Sequence, residues 1–359
     1  MAGPLTGLAI IEMAGLGPGP FAAMMLADHG AEVIRVERAG MIGVPNDPLL
    51  RNRRSIALDL KREDHRAVVR RLAVSADGLI EGYRPGVMER LGLGPEVLQA
   101  DNPKLVYGRI TGWGQTGPLA AEAGHDINYL ALTGLLHGMG EPDRPPRPPM
   151  NLVADYAGGG MMLAFGMVAA LLGVQRGDPG QVIDAAMSDG AALTGALLYG
   201  MKAAGLWDGG RGGNLLDGGN PLYGCYRCSD DRFLAFGAIE PQFVAALLEG
   251  LDLPVTAGKS DVARAVATRT RDDWVARFAG TDACVTPVLD MDEAPAHPHN
   301  ITRGTFGGVG GVLQPMPAPR FSGGGADSPT PPRAEGQDGR DILERLGYSA
   351  AEIDTLGLS

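Results

Sequence analysis

The chain has 359 residues, 45% of them hydrophobic, and Gly (55) with Pro (27) occupies 82 positions. That share is nearly twice the usual ~12%, but no repeat period accompanies it, so collagen and low-complexity disorder are excluded and two ordinary domains are expected. The net charge of −11 argues against a general nucleic-acid or anionic-membrane binder, and it is unevenly spread: residues 1–110 carry 14 Lys/Arg against 13 Asp/Glu, the remainder 17 against 29.

The chain opens with a strand at Leu8–Met13, a Gly/Pro turn at Gly15–Pro20, a helix at Phe21–His29 stopped by Gly30, and a second strand at Val33–Arg38. So compact a βαβ unit predicts a parallel, doubly wound sheet. The alternation continues with a strand at Ser55–Leu60, a charged helix at Arg62–Val74, a strand at Gly78–Glu81, a short helix at Pro85–Leu91 and a strand at Leu105–Ile110. A polar turn (Thr111–Pro118), a helix (Tyr129–His137), a Pro-rich linker (Glu141–Pro149), a buried apolar helix (Gly158–Leu172) and a strand (Gln181–Ala186) follow. Beyond these lie a helix at Ala191–Ala204, a Gly-rich loop at Gly209–Gly219, a hairpin within Tyr223–Gly237, and helices near Gln242–Glu249 and Arg271–Ala279. Phe306–Pro332 reads as linker, and Arg340–Leu358 as two short helices around Gly347–Ser349. The expected organisation is a Rossmann-like α/β large domain, residues 1–186 plus 323–359, and a smaller α+β domain, 187–322.

Three cysteines, Cys225, Cys228 and Cys284, are too few for a disulfide framework, and the CxxC lacks a second pair to complete a metal site. The start, Met1-Ala2-Gly3-Pro4, has no basic segment or cleavage site, and the uncharged run Gly158–Gln175 is Gly-rich and short for a span. A cytoplasmic protein that binds neither membrane nor nucleic acid is expected.

Gly15 and Gly17 after the first strand, with Glu37 further on, suggest a dinucleotide site, but Pro20 replaces the third glycine and Pro18 lacks an amide. Arg38, at the end of the second strand, suits a phosphorylated ribose instead. Arg51, Arg53, Arg54, Lys61, Arg84 and Arg90 add positive charge, either for an anion or as a solvated face. Of six histidines, His125 stands out, because Asp126 after it can cap the following helix and a helix start supplies amides for an oxyanion. Asp155, at the entry to the apolar helix, is either a cap or a desolvated base. Glu240 likewise precedes a helix.

The segments Gly124-His125-Asp126-Ile127-Asn128-Tyr129, Asn151–Gly160 and Gly237–Phe243 closely resemble 2-methylacyl-CoA racemases of the class III CoA-transferase fold family. Similarity extends to Gly15–Pro20, Arg51–Arg54, Gly82–Pro85, Leu215–Gly219 and Thr281–Leu289. The resemblance implies an interlocked homodimer whose active sites form between the large domain of one subunit and the small domain of the other. It makes His125 and Asp155 the two bases, serving the S and R faces respectively. Glu240 would orient His125, and Asn151 would hydrogen-bond Asp155. CoA contacts carried over are Arg38, Leu58, Asp59, Leu60, Lys61, Gly82, Tyr83, Arg84, Arg90 and the Gly124, His125, Asp126, Ile127, Asn128, Tyr129 run.

Inverting a carbon beside a thioester needs one base on each face and no metal or cofactor beyond the substrate's CoA. The Asp126 amide is the candidate donor to the enolate oxygen. The alternative is CoA transfer between carboxylic acids with Asp155 as nucleophile. That reaction needs no histidine at 125, and the related transferases carry glycines where this chain has Ala238-Ile239-Glu240.

Overall fold

Six parallel strands, β1 (Ala9–Met13), β2 (Glu32–Glu37), β3 (Arg53–Ala57), β4 (Gly78–Glu81), β5 (Val106–Thr111) and β6 (Val182–Ala186), form one sheet in the order β3-β2-β1-β4-β5-β6. This is the doubly wound order, with its reversal between β1 and β4. The computed structural model describes residues 3–38, 40, 44–323 and 328–357. Helices α1 (Pro18–Asp28), α2 (Glu63–Ser75), α3 (Val87–Arg90), α4 (Pro95–Asp101), α5 (Asp126–Ala131), α6 (Met162–Gln175) and α7 (Met187–Thr194) connect or follow the strands. The central strands β1 and β4 are mainly apolar because both sheet faces are covered there: Ile10, Ile11, Leu79 and Ile80 are all buried.

The chain divides into two compact units, Met1–Thr133 with Met150–Thr194 and Phe306–Ser359, and Gly134–Pro149 with Gly195–Thr305. The expected boundaries move accordingly. Residues 187–194 and 306–322 stay with the sheet, while the Pro-rich segment before Met150 joins the other unit. The expected helix Ala191–Ala204 is two helices, α7 and Ala196–Ala203, broken at Gly195 where the units divide. The expected Tyr129–His137 helix is likewise interrupted: α5 ends at Ala131, and a separate 3-10 turn spans Leu136–Gly138.

In the first unit, α6 approaches the sheet over Gly78 and Gly108, where a Cβ would stand 2.7 Å from Met167. The opposite face of α6 and the residue before it depart from the expected buried helix, because Phe165, Val168 and Leu172, with Met161, are exposed. Leu152–Gln175 is long and apolar enough to cross a membrane by length and composition. The tail returns to the sheet as expected: helices Gly339–Arg345 and Ala350–Leu356 bury Ile342, Leu343, Ile353 and Leu356 in one cluster with Ile56, Leu58 and Val68.

Phe306–Pro332 is not plain linker. Strands Phe306–Val309 and Val312–Pro315 pair antiparallel around Gly310 and Gly311, both with positive φ (58° and 81°), the geometry of a two-residue hairpin turn. Arg51 ties this hairpin down by donating to Gln314 (2.8 Å) and the Pro315 carbonyl (2.7 Å) while pairing with Asp28. Arg53 is also buried, donating to Glu12 and the Leu49 and Pro20 carbonyls, and Arg35 shares Glu12. Arg54 pairs with Glu32 and Asp341. The expected local positive charge at 51–54 is therefore paired, inside the fold for Arg51 and Arg53 and at its surface for Arg54, because each guanidinium has found a carboxylate distant in sequence.

The second unit has an antiparallel sheet of Tyr223–Arg227, Phe233–Gly237 and Val285–Val288, covered by helices Pro241–Leu251, Lys259–Val266 and Arg271–Phe278. Leu234, Phe236, Leu247, Val262, Val266 and Trp274 fill its core. The Gly209–Gly219 loop folds around Asn214 and Asp217, whose carboxylate accepts the Asn214 (2.8 Å) and Gly219 (3.2 Å) amides. Cys225 is exposed, and burial pushes the Cys228 thiol up to about 11. A thiol raised in this way is a poor match to the low-pKa thiols of redox motifs.

Candidate active site at the carboxyl ends of the parallel strands

The carboxyl ends of β2 to β5 gather the segments singled out in the sequence. Arg38 follows β2, Leu58–Lys61 follows β3 and Gly82–Arg84 follows β4. In doubly wound sheets ligands bind at this edge, near the strand-order reversal. Arg38, Lys61, Arg84 and Arg90 are exposed there or on α3, available to an anion, unlike Arg51 and Arg53. The β3 strand ends three residues earlier than expected, which frees Leu58–Lys61 from the ladder. His65 holds that segment: its Nδ1 accepts the Asp59 N–H (2.8 Å), so its Nε2 carries the proton and donates to the Leu356 carbonyl (3.1 Å).

A cleft of about 300 Å³ opens beside β4 and β5, lined by Gly82–Pro85, Ile110–Trp113, Glu122–His125, Tyr129 and Met187, with Ala120. This is the low end of small-molecule sites. Buried Glu81 sets one wall by accepting the Tyr83 N–H (2.7 Å) and Arg109 Nε (2.8 Å). Burial pushes the Glu81 carboxyl up, and the Tyr83 N–H and Arg109 oppose the shift. The Tyr129 ring forms the other wall. A Cβ on Gly112 would lie 2.1 Å from it and one on Gly124 2.6 Å, so only glycine fits at either side. Its hydroxyl donates to the Gly124 carbonyl, and Trp113 packs edge-on at 4.8 Å. Glu122 lines the cleft without having been singled out for it, since it belongs to no motif with local spacing.

His125, not Asp126, is the cap of α5. His125 has extended backbone (φ −136°, ψ 175°), and its N–H donates to Asn128 Oδ1 (3.1 Å). Asp126 is the first helical residue, and its carboxylate is turned inward instead of capping. Oδ2 accepts the Ala154 and Asp155 amides, each at 2.8 Å. Those amides belong to the opening turns of a π-helical stretch, Leu152–Met161, that leads into α6. One buried carboxylate thus joins the helix start that bears His125 to the one that bears Asp155, two residues far apart in sequence. Sequence reading sought the Asp126 amide and missed its carboxylate.

Asp155 is half-buried and does not line the cleft itself. Burial pushes its carboxyl up from the ordinary range, and Asp126 adds to the rise. The Asn151 side-chain amide, donating at 3.2 Å, and His125 pull the other way. The expected Asn151–Asp155 contact is therefore present. A Cβ on Gly17, at the start of α1, would be 4.0 Å from Asp155 Oδ2. Glu240 is exposed at the head of Pro241–Leu251 in the second unit.

A family model described as CoA-transferase family III matches residues 5–338. Alpha-methylacyl-CoA racemase of Mus musculus is 46% identical, across 97% of this chain and 95% of its own length. The Homo sapiens protein of that name is 44% identical over the same shares. A solved CAIB/BAIF family protein from Brucella suis has a TM-score of 0.84 at 27% identity, covering 96% of this chain and 100% of its own. The chain belongs to CoA-transferase family III.

Proposed function

We propose that this chain is a racemase that inverts the α-carbon of 2-methylacyl-CoA thioesters by two-base proton transfer. The observation that carries the reading is the placement of His125 and Asp155 on two helix starts joined by one carboxylate beside the cleft. Whole-length similarity to alpha-methylacyl-CoA racemases favours it over CoA transfer.

In this reading, neutral His125 takes the α-proton of the S epimer. The electron pair moves onto the thioester oxygen as an enolate, and protonated Asp155 returns a proton to the opposite face. The R epimer runs the sequence backwards, with ionised Asp155 as base and protonated His125 as acid. The burial that raises Asp155 suits it to hold a proton for half of the cycle. The Asp126 amide donates to the enolate oxygen, a class of contact worth about 3–4 kcal/mol by removal of such donors. Proton transfer of this kind requires no metal and no cofactor beyond the substrate's own CoA.

The CoA moiety lies along Arg38, Leu58–Lys61, Gly82–Arg84 and Arg90 in the proposal. Glu240 orients His125, and two chains form a homodimer with shared sites. The apolar face Met161, Phe165, Val168 and Leu172, exposed in the single chain, supports an association of copies. The other face of α6 packs on the sheet, which favours a partner chain over a membrane and a cytoplasmic protein.

Incubating each epimer in heavy water, then analysing chirality and deuterium, tests the reading. Inversion with α-deuteration is expected from both epimers. Absence of exchange, or thioester transfer to added oxalate or succinate with Asp155 as nucleophile, overturns it.

A further inference from the structure

Asp126 is 4% exposed, and its carboxylate has no part in the proposed proton transfers. Its two oxygens are used unequally. Oδ2 accepts both amides at 2.8 Å, while Oδ1 is buried without a hydrogen-bond partner among the described residues. A capping oxygen normally serves its own helix. This one serves another helix 28 and 29 residues along the chain.

We propose that the Asp126 carboxylate is a positioning residue that fixes the spacing between His125 and Asp155, by accepting the backbone N–H groups of Ala154 and Asp155. One arm of the link is covalent, since His125 is the adjacent residue. The other is a pair of charge-assisted hydrogen bonds, one of them to Asp155 itself. The side chain is the shortest that carries a carboxylate, so it transmits little slack. Asn128 steadies the histidine end by accepting the His125 N–H, and Asn151 steadies the Asp155 carboxylate. Two bases that must reach opposite faces of one carbon need their separation held this closely. The proposal rests on the racemase reading above and assigns it a residue that neither gives nor takes the substrate proton.

Three substitutions separate spacing from charge and from loss of a base. Asp126→Ala removes the acceptor and is expected to lower α-proton exchange from both epimers about 100-fold, the scale of a 1 Å misplacement. Asp126→Asn keeps an acceptor oxygen without charge and is expected to recover exchange to within about tenfold of wild type. Asp126→Glu keeps charge and acceptor but adds one methylene, about 1.5 Å, and is expected to fall with the alanine variant. Loss of His125 or Asp155 alone should instead spare exchange from the epimer that the remaining base serves.

Amide hydrogen exchange at Ala154 and Asp155 provides a readout that does not depend on turnover. It should accelerate in Asp126→Ala and stay protected in Asp126→Asn. Unprotected amides in wild type, an active Asp126→Glu, an Asp126→Asn as poor as Asp126→Ala, or a loss confined to one epimer each overturns the proposal. Protected amides in a wild type that exchanges neither epimer would instead sink the racemase reading and leave the link itself standing.

Discussion

Replacing Gly190 by Ala tests how the Asp155-bearing helix is seated. Gly190, in α7, faces Gly158 in the π-helical stretch. A Cβ added there would lie 1.7 Å from the Gly158 carbonyl oxygen and 2.6 Å from its carbon. The clash is reciprocal, since a Cβ on Gly158 would meet the Ala191 nitrogen at 2.4 Å. Ordinary contact begins near 3.5 Å, so the two segments must separate by about 1.5–2 Å. Both offending groups are backbone, and no rotamer change relieves them.

Overpacking of this kind costs about 3 kcal/mol, and the better helix propensity of Ala offsets about 1 kcal/mol. A net loss of about 2 kcal/mol lowers the unfolding midpoint by about 4–8 °C at the sensitivity of large domains. The same displacement moves Asp155, so proton exchange should fall by about 100-fold. Calorimetry and the heavy-water assay read the two effects. Gly200→Ala is the control: a Cβ there meets nothing within 4 Å in helix Ala196–Ala203, and the substitution should stabilise by up to about 1 kcal/mol. A Gly190→Ala midpoint within about 1 °C of wild type refutes the reasoning.

Because burial raises the Asp155 carboxyl, ionising it costs the folded state more than the unfolded one, and stability falls as pH rises from the ordinary carboxyl range through its raised midpoint. Asp155→Asn should therefore unfold at a higher temperature than wild type at about pH 7, with the gap closing below about pH 4, and a less stable variant at neutral pH contradicts this. Glu12→Gln leaves Arg35 and Arg53 without their shared carboxylate in the core and should cost about 3–5 kcal/mol in urea unfolding; a loss under about 1 kcal/mol argues against it. Arg271 holds the Glu293 carboxyl at about 2. The stability this pair contributes is present above the ordinary Glu value of ~4.3 and is lost as pH falls toward about 2, so a Glu293 NMR titration midpoint at ~4.3 would refute the contact.

Where the fold was legible in sequence, the signal was local. Short apolar runs with turns between them gave the parallel sheet, and Gly347-Tyr348-Ser349 marked the break between the tail helices. The hairpin at 306–315 was also legible, since Val309-Gly310-Gly311-Val312 is a two-residue turn between β-branched residues. It was lost in the surrounding Gly/Pro density. The glycine surplus divides in a similar way. Gly158, Gly159 and Gly160 are small because α7 and α1 lie against them, with Ala191, Met187 and Phe21 in the space a Cβ would take. Their close backbone approach is to other helices.

The arginines show why the rest of the site was not legible. Arg51, Arg53, Arg38 and Arg84 look alike in sequence, but Asp28 and Glu12, brought in by α1 and β1, neutralise the first two, whereas Arg38 and Arg84 stand exposed at the strand ends. Which cation is left for an anion is a property of the sheet order, not of any window of residues. The same holds for Asp126. Its position just ahead of the expected helix Tyr129–His137 suggests a cap, but the helix starts at Asp126 itself, and His125 takes the capping place with extended backbone. With capping done by its neighbour, the Asp126 carboxylate is free to accept the amides that open the next helix. The sequence thus locates both proposed bases, while the residue holding them at a set distance becomes visible only when two helix starts are seen to share one oxygen.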